Sequence, residues 1–134
     1  MSYPSFSDIS RTFAPGWFAA VMGTGVLALT TRSLGQHWPL LALPAELLHW
    51  FNSGLFLLLA LPWLMRWLVF RPAALQTMMH PVQANFYPTF SIALLVLAAQ
   101  WLVFTPYVGV ALTLWWLGVG LHFVFSFAVL FLMF

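Results

Sequence analysis

The chain has no cysteine and no lysine, and its 134 residues include only two acidic side chains, Asp8 and Glu46. The missing cysteine excludes disulfides and thiolate metal sites. The shortage of charge excludes more. Asp, Glu, Lys and Arg together make up 4% of the chain, where a soluble domain carries about 25%. Six charges cannot build a water-facing surface on a chain that is 63% hydrophobic and 19% aromatic. Disorder is excluded by the mean hydropathy of +0.99, which favours burial of apolar surface. The four arginines, Arg11, Arg32, Arg66 and Arg71, are scattered and do not form a nucleic-acid surface.

What is present is long apolar runs. Between Arg11 and Arg32 lie 20 uncharged residues, between Glu46 and Arg66 lie 19, and no Asp, Glu, Lys or Arg follows Arg71. A membrane-crossing helix needs roughly 20 mostly apolar residues. Runs of this length without polar alternation exclude strands and a transmembrane barrel. The expected fold is an all-α membrane protein of four spans, at about 15–31, 44–67, 86–104 and 107–132, in two antiparallel hairpins. Thr105 and Pro106 make the tight turn between the last two. Residues Ala73 to Asn85, with Gln76, Thr77, His80, Gln83 and Asn85, are the most polar stretch and the main internal break. Arg11, Arg66 and Arg71 fall on one side and Arg32 on the other, which places the N-terminus, the Arg71–Asn85 loop and Phe134 in the cytoplasm. The final run, Phe123 to Phe134, closes without a basic flank, so a partial chain is expected rather than a complete transporter.

Three features carry functional interest. In the first span Gly16, Ala20, Thr24 and Ala28 recur at every fourth position, with Ala19 and Gly23 beside them. Such a stripe either lets helices approach closely or leaves room beside a pore. Gly23 and Gly25 flank Thr24, and two glycines weaken a helix by about 1 kcal/mol each. They either expose backbone to a passing ion or bend the helix against a neighbour. In the second span His49, Asn52 and Ser53 share one face, read as a helix bridge or a hydrated vestibule. In the fourth span Gly118, His122 and Ser126 recur at four-residue spacing, and an ionisable residue inside a span is a functional candidate. The starts of spans one and three also match: Phe13, Pro15 and Trp17 align with Phe86, Pro88 and Phe90 as Phe-x-Pro-x-aromatic. This pairing suggests a repeated two-helix unit.

Phe13 to Leu29, FAPGWFAAVMGTGVLAL, resembles the first span of the tellurite-resistance/dicarboxylate transporter family. That family includes bacterial TehA-type proteins, fungal malate and sulfite transporters and plant slow-type anion channels. His80 to Ser91, HPVQANFYPTFS, resembles the segment that enters its third span. The resemblance implies ten helices in five hairpins around a central pore, commonly as homotrimers, with odd-numbered helices lining the pore. This chain corresponds to about the first four. The pore-blocking phenylalanine of the family belongs to a later helix, so no gate residue is carried over. On this reading Gly16, Ala20, Gly23, Thr24, Gly25, Pro88 and Thr89 line the pore, His80 and Pro81 stand at its cytoplasmic entrance, and His122 is a polar intramembrane residue.

The implied activity is transport of small anions, of the C4-dicarboxylate, sulfite, tellurite, chloride or nitrate class, without enzymatic chemistry or a cofactor. The implied location is a bacterial inner (plasma) membrane. Asp8 precedes the first span and Glu46 stands in the first turn of the second, so an anion meets no negative charge in the apolar middle of a span. Two other readings compete. A small accessory membrane protein would need no pore. A haem-binding redox subunit would need His49 and His122 at one depth, yet helix rise places them about 7 Å and about 22 Å from the outer face.

Overall fold

The computed structural model describes residues 3–133, and every regular element among them is helical. The helices are α1 (Phe6–Thr12), α2 (Phe18–Leu34), α3 (Ala42–Leu68), α4 (Arg71–Met78), α5 (Pro88–Phe104) and α6 (Val108–Met133), with 3₁₀ turns at Pro15–Trp17, Pro39–Leu41 and Gln83–Phe86. Met1 and Phe134, two of the positions assigned to the cytoplasm above, lie outside the described residues.

Local chemistry sets the boundaries. Ser5 and Asp8 form a reciprocal capping box that starts α1. Ala14 precedes Pro15, and a residue before proline is driven out of the helical region. Ala14 is accordingly extended, at φ −90° and ψ 128°. This break turns Phe6–Thr12 by 95° from Pro15–Leu34, so α1 is a separate element rather than the first turn of a span. Pro88 occupies the first turn of α5, where a missing N–H costs little.

Pro72 both follows the end of α3 and starts α4. The Arg71–Asn85 stretch is therefore not an open loop: α4 and a 3₁₀ turn fill most of it. Between α5 and α6 the turn is as short as expected, and the Tyr107 N–H donates to Thr105 Oγ1 at 3.3 Å.

The long helices form two antiparallel hairpins, α2 with α3 and α5 with α6, and α2 packs on α5 to join them. Pro39–Leu68, Gln83–Phe104 and Val108–Leu132 are each long and apolar enough to cross a membrane, while Pro15–Leu34 meets that measure only together with α1. Gly118 lets α6 close on α5, since a Cβ there would stand 2.8 Å from Leu95 Cδ2. The outward faces are apolar, with Leu57, Leu68, Trp116, Phe127 and Phe131 all exposed. Such faces suit lipid and not water.

The core sits where α2 and α5 begin. Phe18 packs edge-on against Phe90 at 5.0 Å between ring centroids and against Trp63 at 6.0 Å, and Trp63 meets Tyr87 at 5.2 Å. At the opposite end Arg32 pairs with Glu46 at 3.8 Å and lies 5.5 Å from the Phe104 ring centroid.

Candidate functional site

The two proline-started helices α2 and α5 begin side by side. The Thr89 hydroxyl lies 2.8 Å from the Pro15 carbonyl oxygen and 2.5 Å from that of Phe86, positioned to donate to either. Gly16 makes room for the Phe86 ring, which would stand 3.4 Å from a Cβ at that position. Gly16, Pro88 and Thr89 are thus brought together at one end of the bundle. The sequence match between the two starts does not extend to their surroundings. Phe13 is buried and its counterpart Phe86 is exposed, whereas Trp17 is exposed and Phe90 buried.

Along α2 the small residues divide. Ala20 and Gly23 are exposed and Thr24 is partly buried. A Cβ at Gly23 would meet nothing within 4 Å. Gly25 faces the other way. It is buried, and a Cβ there would collide with Val96 Cγ1 and approach Asn52 Nδ2 to 2.9 Å and Gln100 Oε1 to 3.4 Å. Two positions apart on a 3.6-residue turn cannot share a face. Gly23 therefore borders open space, and Gly25 allows a three-helix contact.

Arg66, near the end of α3, is 5% exposed and has no ion pair among the described residues. Its Nη1 donates to the Phe13 carbonyl. Its Nη2 donates to the Ala73 carbonyl at 3.1 Å and to Thr77 Oγ1 at 2.5 Å, and its Nε has no partner. The guanidinium thereby ties the α1–α2 junction to α4. It also lines a cleft of about 360 Å³ with Thr12, Phe13, Pro15, Gly16, Gln83 and Phe86, at the end of the bundle where α2 and α5 start.

The two candidate histidines stand apart. His80 is exposed, and its Nδ1 accepts from the N–H groups of Val82 at 3.3 Å and Gln83 at 3.4 Å, which orders the turn before α5. His122 is partly buried, with Nδ1 3.1 Å from Ser91 Oγ. The Ser91 hydroxyl itself donates to the Pro88 carbonyl at 2.7 Å. With the Ser91 hydrogen given to Pro88, the Ser91 oxygen can accept from the His122 tautomer that carries its proton on Nδ1. Among the described residues no three His, Asp or Glu side chains converge as metal ligands do.

Two features escaped the sequence reading. Arg66 was read as a span-end marker, because the carbonyls that hold it are remote in sequence. Gln100 is buried on α5 and accepts from Asn52 Nδ2 at 2.7 Å. A lone glutamine inside an apolar run was the available signal for it.

The family model described as SLAC1, voltage-dependent anion channel, matches residues 12–134. Two proteins of Methanocaldococcus jannaschii are similar over most of the chain. Uncharacterized transporter MJ0576 is 40% identical over 127 residues, which cover 95% of this chain and 37% of that protein. Uncharacterized transporter MJ0762 is 36% identical over 124 residues, covering 92% of this chain and 36% of that one. This chain thus spans little more than a third of the length of these relatives. No solved structure matches it. With a match over nearly its whole length and a charge-poor bundle of paired helices to support it, the chain belongs to the voltage-dependent anion channel family.

Proposed function

We propose that the chain contributes α2 and α5 to a transmembrane route for small anions, the activity that family membership favours. The route follows the open face of α2, past Gly16, Ala20, Gly23 and Thr24, and is entered beside Pro88 and Thr89. Gly25 belongs to the packing side of the same helix. The observation that carries this reading is the empty space beside Gly23, on a helix whose opposite face is tightly packed. The one carboxylate on a long helix, Glu46, sits near the start of α3 beside Arg32 and not in its apolar middle, which supports an anion as the passenger.

The test is chloride and nitrate flux into liposomes, through a chain of the relatives' length that carries residues 1–134. Gly23→Leu should reduce flux while folding persists. Val26 is three residues on and shares the exposed flank, so it is a poor control. Gly120 on α6 is better, being equally open. Normal flux in a well-folded Gly23→Leu protein removes this face from the route.

A further inference from the structure

We infer that Arg66 and the cleft beside it form a binding site for a small inorganic anion at the mouth of the route. The inference rests on the transport reading above and adds a specific residue and ligand class to it. A guanidinium this deeply buried normally faces a carboxylate, because neutral partners leave its charge uncompensated. Arg66 faces three neutral oxygens, from Phe13, Ala73 and Thr77. The acidic residues Asp8 and Glu46 form no ion pair with it. Its Nε–H is buried without a partner. The same side chain lines the 360 Å³ cleft, whose other walls include the first residues of the Pro15–Trp17 turn and Gln83 and Phe86 before α5. A mobile anion in that cleft supplies the counter-charge that Arg66 does not find among the described residues.

The donor pattern narrows the ligand. Both Nη2 hydrogens are directed at Ala73 and Thr77, and one Nη1 hydrogen is directed at Phe13. Neither edge of the guanidinium keeps the paired N–H groups that clamp a carboxylate through two oxygens. Nε is sealed among protein atoms, so what remains for a ligand in the cleft is at most one Nη1–H and the full charge. Those suit chloride or nitrate, held by charge and single hydrogen bonds, rather than a dicarboxylate.

Gln83 offers a test that leaves the ties of Arg66 intact. It is exposed, and its side chain makes no hydrogen bond among the described residues. Gln83→Glu places a carboxylate of nearly the same shape in the cleft. The measurement is chlorine-35 NMR line broadening by the protein, of the relatives' length and carrying residues 1–134, in neutral phosphatidylcholine nanodiscs. Wild type should broaden the chloride line, nitrate should reverse this, and malate should not. Gln83→Glu should weaken the effect about tenfold or more, and Gln36→Glu, an exposed position at the opposite end of the bundle, should preserve it. Unchanged broadening in Gln83→Glu, or equal competition by malate and nitrate, overturns the proposal. Liposome flux measured in parallel separates the two readings. Chloride binding that depends on residue 83 without wild-type flux sinks the transport route alone. Normal flux with binding indifferent to Gln83→Glu sinks the Arg66 site alone.

Discussion

The Asn52 side-chain amide donates to the Gln100 side-chain oxygen at 2.7 Å, and Gly25 lies directly over the pair. Three helices, α2, α3 and α5, meet at this point. The contact joins the first hairpin to the second through a polar bond between buried side chains. Asn52 Oδ1 and Gln100 Nε2 remain buried without partners, as do both ring nitrogens of nearby-in-sequence His49.

This pairing predicts non-additive mutational costs. Asn52→Leu or Gln100→Leu alone leaves one buried amide without its partner, at a cost of about 1–3 kcal/mol. The double substitution should cost less than the two singles together. Coupling within membranes averages about 0.6 kcal/mol and reaches about 1.7. Unfolding free energies in detergent provide the cycle, and strict additivity would show that the bond contributes nothing.

Glycine substitution separates packing from open space. Gly25→Ala gains helix propensity, worth up to about 1 kcal/mol. It also pushes a methyl into the stiff Val96 side chain and to 2.9 Å from Asn52. Overpacking costs about 1–3 kcal/mol, so the net effect should be destabilising. Gly54→Ala on α3, where nothing lies within 4 Å, should be neutral or stabilising. The comparison requires only thermal midpoints, and a Gly25→Ala protein at least as stable as Gly54→Ala would contradict the close approach.

These two glycine classes show what the sequence revealed and what it concealed. The gaps from Arg11 to Arg32 and from Glu46 to Arg66 revealed helices, because lipid tolerates little charge. The antiparallel pairing of the last two helices, α5 and α6, followed from the short turn at Thr105–Pro106. Spacing alone could not distinguish Gly23 from Gly25, since the difference lies in Val96, Asn52 and Gln100, contributed by other helices. Nor could it show that Arg66 is buried, because its partners Phe13 and Thr77 are 53 and 11 residues away. The start of α4 at Pro72 and the Ser5-x-x-Asp8 capping box were both legible as local motifs, since proline suits a helix's first turn and a serine three residues before an acid suits its cap.

That capping box is sensitive to pH. The Asp8 carboxylate accepts from the Ser5 hydroxyl at 2.6 Å and from the Ser5 N–H at 3.0 Å. The Ser5 hydroxyl bond first, and then the backbone bond, hold its pKa below the ordinary 3.8. A depressed carboxylate pKa stabilises the folded form above the ordinary value. The contribution is lost as pH falls through the folded value, so α1 should loosen only below about pH 4. Carbon-13 NMR of the Asp8 carboxyl can follow the titration. Ser5→Ala should move the midpoint up toward 3.8, and an unchanged midpoint would remove Ser5 as the cause.

The orientation in the membrane rests on arginines whose roles now differ. Arg66 is buried in the bundle and tied to backbone, so it is a poor marker of a cytoplasmic surface. Arg11 and Arg71 are exposed at the end where α2 and α5 begin, and Arg32 stands at the other end beside Glu46. The bias is two against one, and neighbouring acidic residues weigh little in the positive-inside rule. It still favours an orientation with α1 and α4 in the cytoplasm and the α2–α3 turn outside. The cysteine-free sequence permits a direct test with single introduced thiols. Gln36→Cys and Gln76→Cys replace exposed residues at opposite ends of the bundle. In intact cells an impermeant maleimide should label Gln36→Cys and spare Gln76→Cys until the membrane is opened. The reverse pattern would invert the protein, and would move the Arg66 cleft from the cytoplasmic mouth to the outer one. Labelling of both positions from outside would contradict the hairpin itself.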